Sequence, residues 1–174
     1  MVRRVRGARR SPGTLVRRAA QRLILLEAAL DALDGGEPSD AVLSVDAGAA
    51  AADFGARVAA MYRAWAQERG MTFELLEDRS GNRGLKLRAA VGGFAALQTL
   101  RPEAGLHVLE VPDGKGGFAR RRVRVTVEPG DTSARARIVR RYRERPTPLV
   151  RDSVRGWRTG RLDLVLAGGF DLIE

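Results

Sequence analysis

Residues 121–127 read Arg-Arg-Val-Arg-Val-Thr-Val, and this alternation constrains the fold more than any other stretch. Successive side chains of a strand point to opposite faces, so Val123, Val125 and Val127 share one face while Arg122, Arg124 and Thr126 share the other. The valine face has to be buried and the arginine face has to stay in water, so the strand belongs to a sheet with one covered and one open side. A partner strand lies just upstream. Leu106 to Val111 pairs with it as a hairpin around the loop Asp113-Gly114-Lys115-Gly116-Gly117.

Other elements follow from periodicity and breakers. Thr14 caps a helix running to about Asp34, with Leu15, Ala19, Leu23, Leu26, Leu30 and Leu33 on one face; Gly35-Gly36 and Pro38 end it. A second helix is expected from Ala49 to Gly70, with Phe54, Val58, Met61, Tyr62 and Trp65 sharing a face. Strands are expected at Ala41–Asp46, Thr72–Leu76, Leu85–Val91 and Ile138–Arg143, with a polar turn over Asp78–Asn82. Short helices fit Phe94–Leu100 and Leu162–Ala167, and Pro129 to Ala136 reads as a linker. The order predicts an α+β fold: an antiparallel or mixed sheet with packed helices, preceded by an N-terminal helix.

Charge is segregated along the 174 residues. Residues 1–26 hold eight arginines and no acid, residues 27–114 hold eight basic and fourteen acidic side chains, and residues 115–161 hold fifteen basic and four acidic. All the cations except Lys86 and Lys115 are arginine, whose planar fork bonds phosphate bidentately and stacks on bases. That clustering predicts a nucleic-acid surface built from Arg120, Arg121, Arg122 and Arg124 with Arg140, Arg141 and Arg143. A GC-rich genome favours arginine codons, and some of these side chains are expected to pair with the acidic middle segment. Tyr142 and Trp157 are candidates for base stacking, with a core role at least as well supported.

No catalytic constellation is visible. The chain has no cysteine and one histidine, His107, which excludes disulfides and leaves no zinc set. His107 is expected to be a structural hydrogen-bonding group. No Gly-x-Ser-x-Gly occurs, and Gly114-Lys115-Gly116-Gly117 lacks phosphate-loop spacing. Neither a cofactor nor a metal is predicted. No apolar run approaches the roughly 18 residues that span a bilayer, so no membrane partner is expected.

Several segments resemble bacterial class-I peptide chain release factors. The run Ile138 to Ile173 is similar to that family's tail, with its V-[KR]-D-…-G element and V-x-x-V-L-x-G-x-x-D closing helix, at Arg140, Tyr142, Pro146, Val150, Arg151, Asp152, Gly156, Val165, Leu166, Gly168 and Asp171. Upstream, Glu37-Pro38-Ser39-Asp40, Val42 to Gly48, Met61 to Ala66 with Arg69-Gly70, Gly84-Leu85-Lys86 and Glu103 to His107 resemble family motifs in family order. The resemblance implies a release-factor-like codon-recognition domain over 37–174, preceded by a basic flexible arm over 1–13 and a helix over 14–36 that stands for the family's helical domain.

Two family features are missing from this sequence. No Gly-Gly-Gln occurs, and the place of the hydrolytic domain is taken by a short bridge near 130–137. Val111, Pro112 and Asp113 stand where the similar family members carry a Ser-Pro-Phe codon reader, and Arg120 to Arg122 follow where hydroxyl and imidazole groups are expected. The resemblance therefore implies a noncatalytic protein, not an enzyme, that binds the ribosome or RNA, with the decoding site as the place. The alternatives are a protein adaptor for a separate effector subunit and a transcript-binding factor. A bacterial cytoplasmic location is implied, or an organellar one if the basic arm is a transit peptide.

Overall fold

The computed structural model describes residues 12–35, 38–129 and 137–173. Most of the expected basic arm and nearly all of the bridge near 130–137 lie outside the described residues. An eight-stranded mixed sheet dominates, in the order β2-β3-β1-β5-β4-β6-β7-β8. Its strands are β1 (Ala41–Gly48), β2 (Thr72–Gly81), β3 (Gly84–Gly92), β4 (Gly105–Pro112), β5 (Phe118–Glu128), β6 (Ile138–Arg143), β7 (Leu149–Asp152) and β8 (Arg158–Thr159). All ladders are antiparallel except β4 with β6.

Helix α1 (Pro12–Gly35) precedes the sheet, α2 (Ala52–Glu68) and α3 (Ala96–Leu100) pack on one of its faces, and α4 (Leu162–Leu164) leads into a π turn at Val165–Gly169. The expected α2 stripe is the core. Phe54, Val58, Met61, Tyr62 and Trp65 are all buried against Leu43, Val45, Val123 and Val125 of the sheet. Each such side chain removed from water contributes about 1.5–3 kcal/mol. Alternation along β1 is regular, with Ala41, Leu43, Val45 and Ala47 inward. That register places Val42, Ser44 and Asp46 on the side the helices do not cover.

Some sequence expectations need correction. Helix α1 starts at Pro12, whose fixed φ and missing N–H suit a first helical position, so Thr14 lies inside the helix. Its expected apolar stripe is not its packing face: Gln21, Leu25 and Ala29 are buried, while Leu15, Leu23, Leu26 and Leu30 are 48–56% exposed. Arg17 and Gln21 fix this orientation by hydrogen bonds of 2.9 Å to Glu68 at the end of α2. The polar turn is shorter than expected. β2 continues to Gly81, and only Asn82 and Arg83 link it to β3. The last two strands, β7 and β8, have no counterpart among the expected elements.

Candidate nucleic-acid interface

Side chains directly across a ladder point to the same face, so the pairing registers locate every arginine of the sheet. One row runs Arg122 (β5), Val108 (β4), Arg141 (β6), Arg151 (β7), Arg158 (β8). A neighbouring row runs Arg120, Glu110, Arg143, Leu149, and Arg124 lies across from Leu106. All of these positions share the face that α2 leaves uncovered. Val108 is only 1% exposed although it lies outside the core cluster, and Arg122 and Arg141 flank it on the two neighbouring strands.

Seven arginines thus meet on β5, β6, β7 and the short β8, with Glu110 and Asp46 the acids among their pairing partners. Among the described residues, Arg120, Arg122, Arg124, Arg141, Arg151 and Arg158 have no ion-pair partner. Like charges directly opposite one another repel, so this face favours a polyanion that neutralises it. At the β4–β5 end the surface gains an aromatic platform: Phe118 is 40% exposed, with the Arg143 guanidinium 5.9 Å from its ring centre. A concavity lined by Glu110, Arg141, Arg143, Leu149 and Arg151 lies beside it.

Two predicted surface arginines are placed differently. Arg140 is fully buried and cannot touch RNA. A strand cannot put both Arg140 and Arg141 on one face, and a register shift between Leu106 and His107 sets Arg140 inward, opposite His107. Arg121 pairs with Leu109, so it points to the opposite side from Arg120 and Arg122, although it is exposed. Tyr142 and Trp157 are core residues rather than base-stacking groups.

Val111 and Pro112 finish β4, and Asp113 organises the hairpin loop. Its carboxylate accepts bonds from the backbone N–H of Lys115 at 2.8 Å and Gly117 at 2.9 Å. Arg151 and Arg158 were not predicted for this face. Their strands are four and two residues long, too short for alternation to be visible.

A buried charge network holds the far side of these strands. Arg140 donates to Asp152 at 2.6 and 3.0 Å and to Glu103 at 2.8 Å, and Arg155 also pairs with Glu103. Tyr62 donates to Glu103 at 3.0 Å, and His107 bridges the hydroxyls of Tyr62 at 3.2 Å and Tyr142 at 3.0 Å. The Arg140 guanidinium sits between the rings of Trp157 and Phe170, 5.0 and 5.1 Å from their centres. Burial opposes ionisation of Glu103, but Arg140 and Arg155 outweigh it and hold the carboxyl at about 2. Burial pushes the Tyr142 hydroxyl up to about 12 and holds the His107 imidazole down at about 4.

That arrangement predicts a pH dependence. His107 stays neutral when folded and ordinary when unfolded, so the unfolded chain binds the extra proton between pH 6.5 and about 4. Stability is therefore intact above pH 6.5 and falls below it, by up to about 1.4 kcal/mol per pH unit from this group. Glu103 adds a further loss as pH drops from 4.5 toward about 2. Urea midpoints measured from pH 8 to pH 4 check this; a flat profile across that range contradicts it.

The C-terminal segment is locked by a second buried pair. Arg69, just past the end of α2, donates to both carboxylate oxygens of Asp171, and the Trp65 indole N–H donates to the same group at 2.9 Å. Thus the segments that carried the sequence resemblance converge on buried contacts: Tyr62 and Trp65 from α2 with Arg69 at its C-terminal cap, Glu103 and His107 around β4, Arg140 and Asp152 from β6 and β7, and Asp171 from the tail.

Sheet, helices and buried network together define a release-factor-like α+β domain. The fold matches RF2 of Thermus thermophilus with a TM-score of 0.65 at 17% identity, over 78% of this chain and 66% of that one. The chain belongs to the PCRF domain family, whose model matches residues 15–113. It is also 40% identical over 96 residues to peptide chain release factor 2 of Ruegeria sp. (strain TM1040), a match covering 50% of this chain and 26% of that protein. The chain therefore spans about a quarter of that relative's length in the matched region. β5 to β8, which carry the arginine face, lie beyond the residues the family model matches.

Among the described residues, no helix is long and apolar enough to cross a membrane, and no three His, Asp or Glu side chains are grouped to hold a metal ion.

Proposed function

We propose that this protein is a noncatalytic release-factor-like factor that binds the ribosome through RNA at the small-subunit decoding region, without hydrolysing peptidyl-tRNA. The observation that carries the reading is the uncovered sheet face with Arg120, Arg122, Arg124, Arg141, Arg143, Arg151 and Arg158, on a domain of the PCRF family. Phosphate contacts from arginine position a protein on RNA without reading bases. This agrees with a hairpin tip in which the Asp113 carboxylate is occupied by its own loop rather than offered to a codon. The absence of Gly-Gly-Gln from the sequence, with β5 ending at Glu128 and β6 starting at Ile138, supports the noncatalytic half.

Cosedimentation with purified ribosomes across a salt series tests the reading. Binding through phosphate releases counterions, so affinity falls steeply as salt rises. Changing Arg120, Arg122 and Arg124 together to glutamine is expected to reduce the slope of log K against log salt by about 2–3. These side chains are exposed, so the thermal midpoint should stay close to wild type. Unchanged ribosome binding in the triple variant contradicts the assignment. Release of peptide from peptidyl-tRNA by the pure chain contradicts the noncatalytic reading.

A further inference from the structure

The outward face of α1 is a heptad seam. Val16, Leu23 and Leu30 occupy a positions, and Ala19 and Leu26 occupy d positions, of the 24-residue helix. Val16 is 69% exposed, Leu23 56%, Leu26 48% and Leu30 56%, and Ala19 is exposed as well. The body of the protein takes the other side of the helix, through Gln21, Leu25 and Ala29. No charged residue interrupts the seam. Apolar a and d positions repeating every 3.5 residues are what a second helix needs for knobs-into-holes packing.

The flanking charges say which helix. Arg22 sits at a g position and Glu27 at the following e position, and both are exposed. In a parallel, in-register pair, each g residue faces the next e residue of the partner. Two copies of α1 would therefore place Arg22 of each beside Glu27 of the other, twice by symmetry. The flanking pair of Leu15 with Ala20 brings no like charges together. In an antiparallel pair, e positions meet e positions and g meet g, so no Arg22–Glu27 pair forms between the two copies.

We propose that the protein forms a parallel homodimer through α1, with Val16, Leu23, Leu26 and Leu30 as its seam and Arg22–Glu27 as its interchain ion pairs. This interface is on α1 and is independent of the arginine face, so either assignment can fail without the other.

Sedimentation equilibrium of the full chain over a concentration series is the test. Twice the monomer mass is expected at tens of micromolar, and Leu23→Asp or Leu26→Asp should return the monomer with an unchanged circular dichroism spectrum. Arg22→Glu and Glu27→Arg should each weaken association several-fold alone and associate with each other when mixed. Because the chain has no cysteine, Val16→Cys reports the orientation. An end position meets itself only in a parallel pair, so a disulfide-linked dimer under mild oxidation is expected. A monomer at every concentration, a dimer indifferent to the leucine substitutions, or no rescue on mixing the charge variants would overturn the proposal.

Discussion

Arg140→Met is expected to lower the free energy of unfolding by about 3–5 kcal/mol, the cost of leaving buried carboxylates without their counter-ion. Glu103 is fully buried and Asp152 nearly so, and Arg140 donates to both. The methionine stem retains much of the packing between Trp157 and Phe170 but none of the charge. Glu103 would keep Arg155, whereas the Asp152 oxygen that bonds Arg140 loses both close donors.

With native-state energies of roughly 5–15 kcal/mol, such a loss removes a large share of the whole. Urea or thermal denaturation reads it out. A change within about 0.5 kcal/mol, typical of an exposed surface site, contradicts the buried network. The contrast with the Arg120, Arg122 and Arg124 triple variant is the informative part. Arg140 is expected to move stability, and the triple variant to move binding.

Gly168→Ala is expected to be comparably severe, at roughly 4 kcal/mol or more, or to prevent the tail from docking. Gly168 has φ of +89°, a backbone region that residues with a Cβ adopt only under strain. A Cβ added there would also lie 2.5 Å from the Trp65 backbone nitrogen and 2.7 Å from its Cα. Those contacts are with the backbone of a packed helix, which cannot turn aside as a side chain can. The residues that follow carry Asp171 and its bonds to Arg69 and Trp65, so displacement of the turn also breaks the tail clamp. Denaturation of the variant, with Trp fluorescence reporting the surroundings of Trp65, checks this. A fully stable Gly168→Ala chain would mean that the tail does not approach α2 as described.

The sheet's central logic was legible in the sequence because β5 alternates without interruption. From Val123 to Val127 the valines turn inward and Arg124 and Thr126 turn outward, as the alternation requires. The α2 core stripe was legible for the same reason: five large apolar residues recur at helical spacing. Where legibility failed, the reason lies in what periodicity omits. Spacing shows that Leu15, Leu23, Leu26 and Leu30 share a face of α1, but not whether the body or the solvent takes that face. The outcome was decided by Glu68, some fifty positions away, binding Arg17 and Gln21 on the opposite side.

Arg140 illustrates the complementary failure. A count of clustered arginines treats all of them as surface, while burial of one depends on Glu103 arriving from the turn before β4 and Asp152 from β7. Strand parity separates Arg140 from Arg141 and could have assigned them to opposite faces. Which of the two turned inward required the register of β4 against β6. Arg151 and Arg158 joined the open face only because β7 and β8 add onto β6, a pairing with no local signature in so few residues.

The proposed function requires the open arginine face of this PCRF-family domain to bind ribosomal RNA by its phosphates. Equilibrium binding of the full chain to purified small ribosomal subunits, measured at several salt concentrations for the wild type and the Arg120, Arg122, Arg124 to glutamine variant, tests it most directly. The wild type is expected to bind tightly with a steep salt dependence, and an equally stable variant to bind more weakly with a slope shallower by about 2–3. Binding that is insensitive to salt, or equal affinity and slope for the two proteins, would contradict it.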